Sequence, residues 1–78
     1  MWSSEDVIRE LRNYGKRMTR QRKVIIDVIV EKQSGDFKEL YCEINKQDPD
    51  IGAATVYRML QLLEEIGVIR RIQGYIMN

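Results

Sequence analysis

Histidine is missing from these 78 residues, and cysteine and proline occur once each. No apolar run approaches the roughly 20 residues that a membrane-spanning helix needs. Without histidine, the commonest general base and a principal metal ligand are gone. A single cysteine, Cys42, cannot form an internal disulfide, and its setting in LYCEI reads as an ordinary, partly buried thiol. Neither a glycine-rich phosphate loop nor a nucleophile elbow is present, so no enzymatic activity is expected. Met1-Trp2 runs directly into Ser-Ser-Glu-Asp with no signal peptide, which points to the cytoplasm and away from a membrane.

What is present is a charged chain with a substantial apolar fraction: 44% hydrophobic and 32% charged residues, an ordinary balance for one soluble globular domain. At this length only about 60% of the unfolded surface is buried on folding, so the core has to be compact. The net charge of +1 conceals a polarity along the chain. From Arg9 to Lys23 the bases are Arg9, Arg12, Lys16, Arg17, Arg20, Arg22 and Lys23, against the single acid Glu10. From Asp27 to Asp50 acids outnumber bases. A basic end of this kind suits a polyanion.

The stretch 51–67, IGAATVYRMLQLLEEIG, organises the rest. At about 100° per residue, Val56, Met59, Leu60 and Leu63 fall in one arc while Ala54, Arg58, Gln61 and Glu65 fall opposite. Its leading end carries small Ala53 and Ala54, then Thr55, Tyr57 and Arg58. Small residues let a groove approach the backbone, and an aromatic ring and a guanidinium wait beside them, the make-up of a helix that reads the DNA major groove.

Upstream, residues 3–14 read as a helix capped by Ser3 or Ser4, with Glu5 and Asp6 at the positive end of the dipole. Val7, Ile8, Leu11 and Tyr14 share one face, and Gly15 ends the helix. Thr19 caps a second helix through about Lys32. Its centre, VIIDVIV, has strand propensity, but an apolar-rich stretch of about 14 residues with a cap and a Ser34-Gly35 stop favours a buried central helix. Asp36 and Glu39 form a capping-box-like start to a third helix, 36–46, with Phe37, Leu40, Tyr41 and Ile44 inward. Gln-Asp-Pro-Asp-Ile-Gly connects it to the organising helix, giving a helix-turn-helix. After Gly67, residues 68–72 are extended, Gln73-Gly74 can turn and residues 75–77 return. The expected fold is therefore mainly α: a winged helix-turn-helix filling residues 1–78, four helices followed by a short two-stranded antiparallel wing. Arg70 and Arg71 sit on the wing's first strand.

Three blocks make this chain resemble the N-terminal DNA-binding domain of the ferric uptake regulator (Fur) family of bacterial metal-responsive repressors. They are Gly15-Lys-Arg17-Met-Thr19-Arg-Gln21-Arg22, Glu39-Leu40-Tyr41, and Ala54-Thr55-Val56-Tyr57-Arg58 followed by Leu60, Leu63 and Gly67. The resemblance implies that the helix opening at Ala54 lies in the major groove, with Ala54 and Thr55 close to the bases, Tyr57 against thymine methyls and Arg58 at a guanine edge or phosphate. It implies that Arg17 approaches an A·T-rich minor groove with Lys16 beside it, and that Thr19, Gln21 and Arg22 meet phosphate at the second helix's N-terminus. Arg70 and Arg71 would add wing contacts to the minor groove or phosphates.

Family members continue into a second domain that dimerises and binds iron, zinc or similar ions. This chain stops at Asn78 and carries Ser34-Gly35-Asp36 where relatives often have a histidine. No metal or other cofactor is therefore expected in this chain, which would be a monomer as it stands and a dimer if a C-terminal domain exists. The expected function is sequence-specific binding of double-stranded DNA, an A/T-rich operator, as the reading domain of a Fur-like transcriptional regulator. The alternative is a winged-helix protein-interaction module without DNA binding. An RNA binder fits less well, since the chain has no array of exposed aromatics for stacking unpaired bases.

Overall fold

Hydroxyl and carboxylate side chains set the starts of three of the four helices in the computed structural model, which describes residues 2–78. Helix α1 (Ser4–Asn13) opens on a reciprocal box: the Ser3 hydroxyl accepts from the Asp6 N–H at 3.1 Å and the Asp6 carboxylate accepts from the Ser3 N–H at 3.0 Å. The Thr19 hydroxyl accepts from the Arg22 N–H at 3.1 Å to start α2 (Arg20–Lys32). A second box, Asp36 with Glu39, starts α3 (Phe37–Gln47). Helix α4 (Ala53–Glu65) differs: its N-cap is Gly52, and no side chain covers its first backbone N–H groups.

The core is one cluster drawn from every helix and from the wing. Val7 and Leu11 come from α1, Ile25, Ile26, Val28 and Ile29 from α2, Leu40 and Ile44 from α3, and Val56, Met59, Leu60 and Leu63 from α4. The β-branched centre of α2 is helical, as its length and cap required, because burial on nearly all sides outweighs a propensity difference of a few tenths of a kcal/mol per residue. Its one acid, Asp27, accepts from the Ser4 hydroxyl at 2.7 Å and from Lys23 Nζ at 3.0 Å, tying α1 to α2.

Strands β1 (Ser34–Gly35), β2 (Ile69–Arg71) and β3 (Tyr75–Met77) form an antiparallel sheet in the order β1-β3-β2. The hairpin of β2 and β3 is the expected wing; β1 is an addition to it. The second helix ends at Lys32, as expected, and Gln33 takes the left-handed conformation at φ 68°. The Gln33 side-chain amide donates to the Val30 carbonyl at 2.6 Å, satisfying a group the helix end leaves open. Ser34 and Gly35 are thereby released to pair with Ile76 and Tyr75. The wing turn lies so close to this segment that a Cβ on Gly74 would stand 3.1 Å from the Gly35 carbonyl oxygen.

Three further expectations are corrected. Tyr14 does not share the inward face of α1: the helix ends at Asn13, the 100° phase stops with it, and Tyr14 is 55% exposed. Cys42 is exposed, not partly buried, because it stands two residues from both Leu40 and Ile44 and so faces away from the core. The fourth helix is shorter than 51–67: Ile51 is buried in the connection before it, and Gly67, at φ 85°, turns the chain toward β2. No helix among the described residues is long and apolar enough to cross a membrane.

Two outcomes follow from this packing. Replacing the fully buried Leu60 by alanine is expected to lower stability by about 2–5 kcal/mol in urea unfolding. The Asp6 carboxyl is held below the ordinary aspartate range, first by the Ser3 backbone N–H, then by the Ser3 hydroxyl and by Arg9. A depressed folded pKa means that the contribution is complete above the unfolded value and is lost as pH falls through the folded one. Asp6→Asn is therefore expected to flatten the acid limb of a melting-temperature profile below about pH 4.

Candidate nucleic-acid interface

With its apolar stripe turned inward, α4 has its polar side outward. Ala54, Tyr57, Arg58 and Gln61 are exposed and Thr55 is half-buried. Tyr57 keeps 39% of its surface accessible while the Phe37 ring meets it edge-on. The uncapped N–H groups of the first turn, flanked only by Gly52, Ala53 and Ala54, give this end of α4 a positive partial charge with no bulk in front of it.

Two of the separately identified basic segments meet here. Arg22, Ile25, Thr55, Arg58, Met59 and Leu62 line a cleft of about 250 Å³ between α2 and α4. The guanidinium of Arg22 also donates to the Arg17 carbonyl at 2.7 Å, so the loop leading into α2 is folded back on the helix it precedes. Lys16, Arg17 and Thr19 on that loop are exposed, and Gln21 is half-buried. Lys16, Gln21 and Arg70 are not among the residues lining the cleft.

None of these bases is neutralised by a direct partner. Among the described residues the ion pairs are Arg9 with Asp6, Lys23 with Asp27 and Lys46 with Glu43, each within one helix and exposed. Arg17, Arg22, Arg58 and Arg70 take part in none of them, which leaves their charge available to an incoming anion.

The wing's two arginines sit differently. Both are exposed, but Arg70 pairs in register with Ile76 and Arg71 with Tyr75, so their side chains leave opposite faces of β2. The Arg71 guanidinium carbon lies 5.7 Å from the centroid of the Tyr75 ring. The Tyr57 phenol, and after it that of Tyr75, raises the Arg71 pKa above the usual arginine value.

Sequence reasoning did not place Phe37 beside Tyr57. Phe37 meets Tyr57 edge-on at 6.3 Å and stacks on Tyr41 at 5.9 Å. The i, i+4 spacing of Phe37 and Tyr41 was legible as an apolar stripe; both are partly buried against the core, and the Phe37 ring also meets α4 at Tyr57. No group of three or more histidine, cysteine or acidic side chains converges among the described residues. The described residues therefore assemble no ligand set for a metal ion.

A helix-turn-helix followed at once by a β-hairpin, with an exposed and uncapped second helix, defines a winged-helix domain. The ferric uptake regulator family model matches residues 13–75, and the chain belongs to that family. It is 37% identical over 71 residues to the ferric uptake regulation protein of Brucella abortus, covering 90% of this chain and 50% of that protein. The fold is similar to that of a zinc-bound manganese uptake regulator, with a TM-score of 0.83 and 32% identity over 92% of this chain and 60% of the other. It is similar also to the Vibrio cholerae ferric uptake regulator, at a TM-score of 0.75 and 28% identity over 90% of this chain and 60% of that one. The chain thus spans about half the length of the Brucella relative.

Proposed function

We propose that this chain is a sequence-specific double-stranded DNA-binding domain of a bacterial transcriptional regulator, with α4 laid in the major groove. The observation that carries this reading is the leading end of α4: small residues, uncapped N–H groups, exposed Tyr57 and Arg58, and Arg22 sharing a cleft with Arg58. Family membership supports it, as do the DNA-binding domains of the similar Vibrio cholerae ferric uptake regulator.

In this arrangement the roles divide by chemistry. Arg58 supplies a planar fork for a guanine edge, and Tyr57 supplies an apolar face for thymine methyls. Ala54 and Thr55 allow the backbone to approach the bases. Arg22, Thr19 and Gln21 meet phosphates at the start of α2, where the helix dipole favours an anion. Lys16 and Arg17, on the exposed loop before α2, suit the narrow minor groove of an A/T-rich operator. Arg70, on the outer face of the wing, adds a phosphate contact. A single domain of this kind lacks the second half-site that a dimer would engage, so its affinity is modest.

A duplex selected by this chain from a randomised pool, titrated beside a scrambled duplex by fluorescence anisotropy, tests the assignment. Arg58→Ala is expected to cost about 1–3 kcal/mol on the selected duplex and to reduce discrimination between the two. Arg22→Ala is expected to weaken both about equally and to lower the salt slope by about one. Discrimination that survives Arg58→Ala unchanged overturns the role given to Arg58. Binding of both duplexes is expected to be insensitive to EDTA, because the reading assigns no contact to a metal.

A further inference from the structure

Resting on the DNA-reading assignment above, we propose that Arg22 is a positioning residue as well as a phosphate contact: it holds the loop before α2 so that Arg17 can read the minor groove.

The loop between α1 and α2 is tied down at both ends. At its start Gly15 takes the left-handed conformation at φ 75°. Two reverse bonds then close α1, from the Gly15 N–H to the Arg12 carbonyl and from the Lys16 N–H to the Leu11 carbonyl, each at 2.9 Å. At the loop's other end the Thr19 hydroxyl caps α2. Between these anchors Met18 packs partly against the core, and Arg17 is exposed. The Arg17 carbonyl receives no backbone N–H among the described residues; it accepts instead from Arg22 Nη1 at 2.7 Å. That charge-assisted bond spans the loop from the first turn of α2.

Arg22 is also where the two reading elements meet. It is half-buried, and it lines the cleft of about 250 Å³ together with Thr55 and Arg58 of α4. A side chain seated beside α4 while bonded to the Arg17 carbonyl fixes the loop relative to the helix in the major groove. The guanidinium holds its N–H donors in a rigid planar fork, so one can bond the carbonyl while others face a phosphate; an ammonium lacks that geometry. A narrow A/T minor groove attracts an inserted arginine, and a loop ordered before DNA arrives does not have to be ordered at the moment of binding. Arg20 supplies a contrast, since it lies in the same turn of α2, is exposed and takes part in no ion pair among the described residues.

The test places the pool-selected core and a scrambled core between A/T-only or G/C-only flanks. It compares Arg17→Ala, Arg20→Ala, Arg22→Ala, Arg22→Lys and the Arg17→Ala/Arg22→Ala pair with the parent chain. The parent is expected to prefer A/T flanks by about threefold or more. Arg22→Ala should lose that preference as Arg17→Ala does, and the pair should lose no more of it than either alone. Arg22→Lys should keep the salt slope near the parent's and still lose the flank preference, whereas Arg20→Ala should keep the preference. Discrimination between the two cores at fixed flanks should persist in every variant. In the free protein, the Arg17 and Met18 amide order parameters should fall from the ~0.85 of rigid backbone toward ~0.6 in Arg22→Ala. The cap on α2 uses only the Arg22 backbone N–H, so thermal melts should report an intact fold.

If Arg22→Ala instead weakens A/T- and G/C-flanked duplexes by the same factor and Arg22→Lys restores both, Arg22 is a phosphate contact alone and the proposal is wrong. Arg17 and Met18 amides that stay rigid in Arg22→Ala also overturn it. A parent without a flank preference, or a preference that survives Arg17→Ala, overturns the minor-groove role of Arg17 and this proposal with it, while core discrimination stands. A parent that cannot tell the two cores apart overturns the DNA-reading assignment itself, and with it this proposal.

Discussion

Burial of Val56, Met59, Leu60 and Leu63 against α2, α3 and β2 determines what α4 can present to the outside. Four apolar side chains on one arc leave a helix a single rotational setting, because turning it by one residue would expose a leucine and bury an arginine. The outward position of Arg58 is thus a consequence of core packing and needs no separate device to hold it. The same packing brings Thr55 and Arg58 to the side where Arg22 leaves α2, so the shared cleft is a by-product of how two helices fill the core. Energetically the site is inherited from the hydrophobic effect, which is far larger than any contact within the site itself.

The helical part of this arrangement was legible in the residues because it rests on local signals. Ser3, Thr19 and Asp36 each act through a backbone N–H three residues ahead, and the stripe of α4 repeats within a few turns. What was not legible depends on groups distant in sequence. Nothing near Ser34 announces a strand; the pairing depends on Ile76 and Tyr75 arriving beside it and on Gln33 taking an uncommon conformation. The environment of Tyr57 was hidden for the same reason, since Phe37, whose ring meets it edge-on, comes from α3. Tyr14 and Cys42 were misjudged on narrower grounds, one by carrying a helical phase a residue too far and the other by treating an apolar-flanked thiol as inward.

Charge is handled differently in the two halves of the molecule. Along α1, α2 and α3, acids and bases pair at helical spacing, an arrangement worth only a few tenths of a kcal/mol per exposed pair. Around α4 and the loop before α2 the arginines are left without such partners. Their mutual repulsion is a small penalty carried by the free protein, and it is relieved when an anion comes between them. A domain with a net charge of +1 can in this way be nearly neutral as a whole and strongly cationic on one side.

The sheet order has a consequence for how the chain comes together during synthesis. Because β3 lies between β1 and β2, neither outer strand has a neighbour until residues 75–77 have left the ribosome. The helices can dock early through contacts close in sequence, but the hairpin and the segment after α2 must wait for the same three residues. A nascent chain interrupted before Tyr75 would therefore keep a helical body and lose all three strands together.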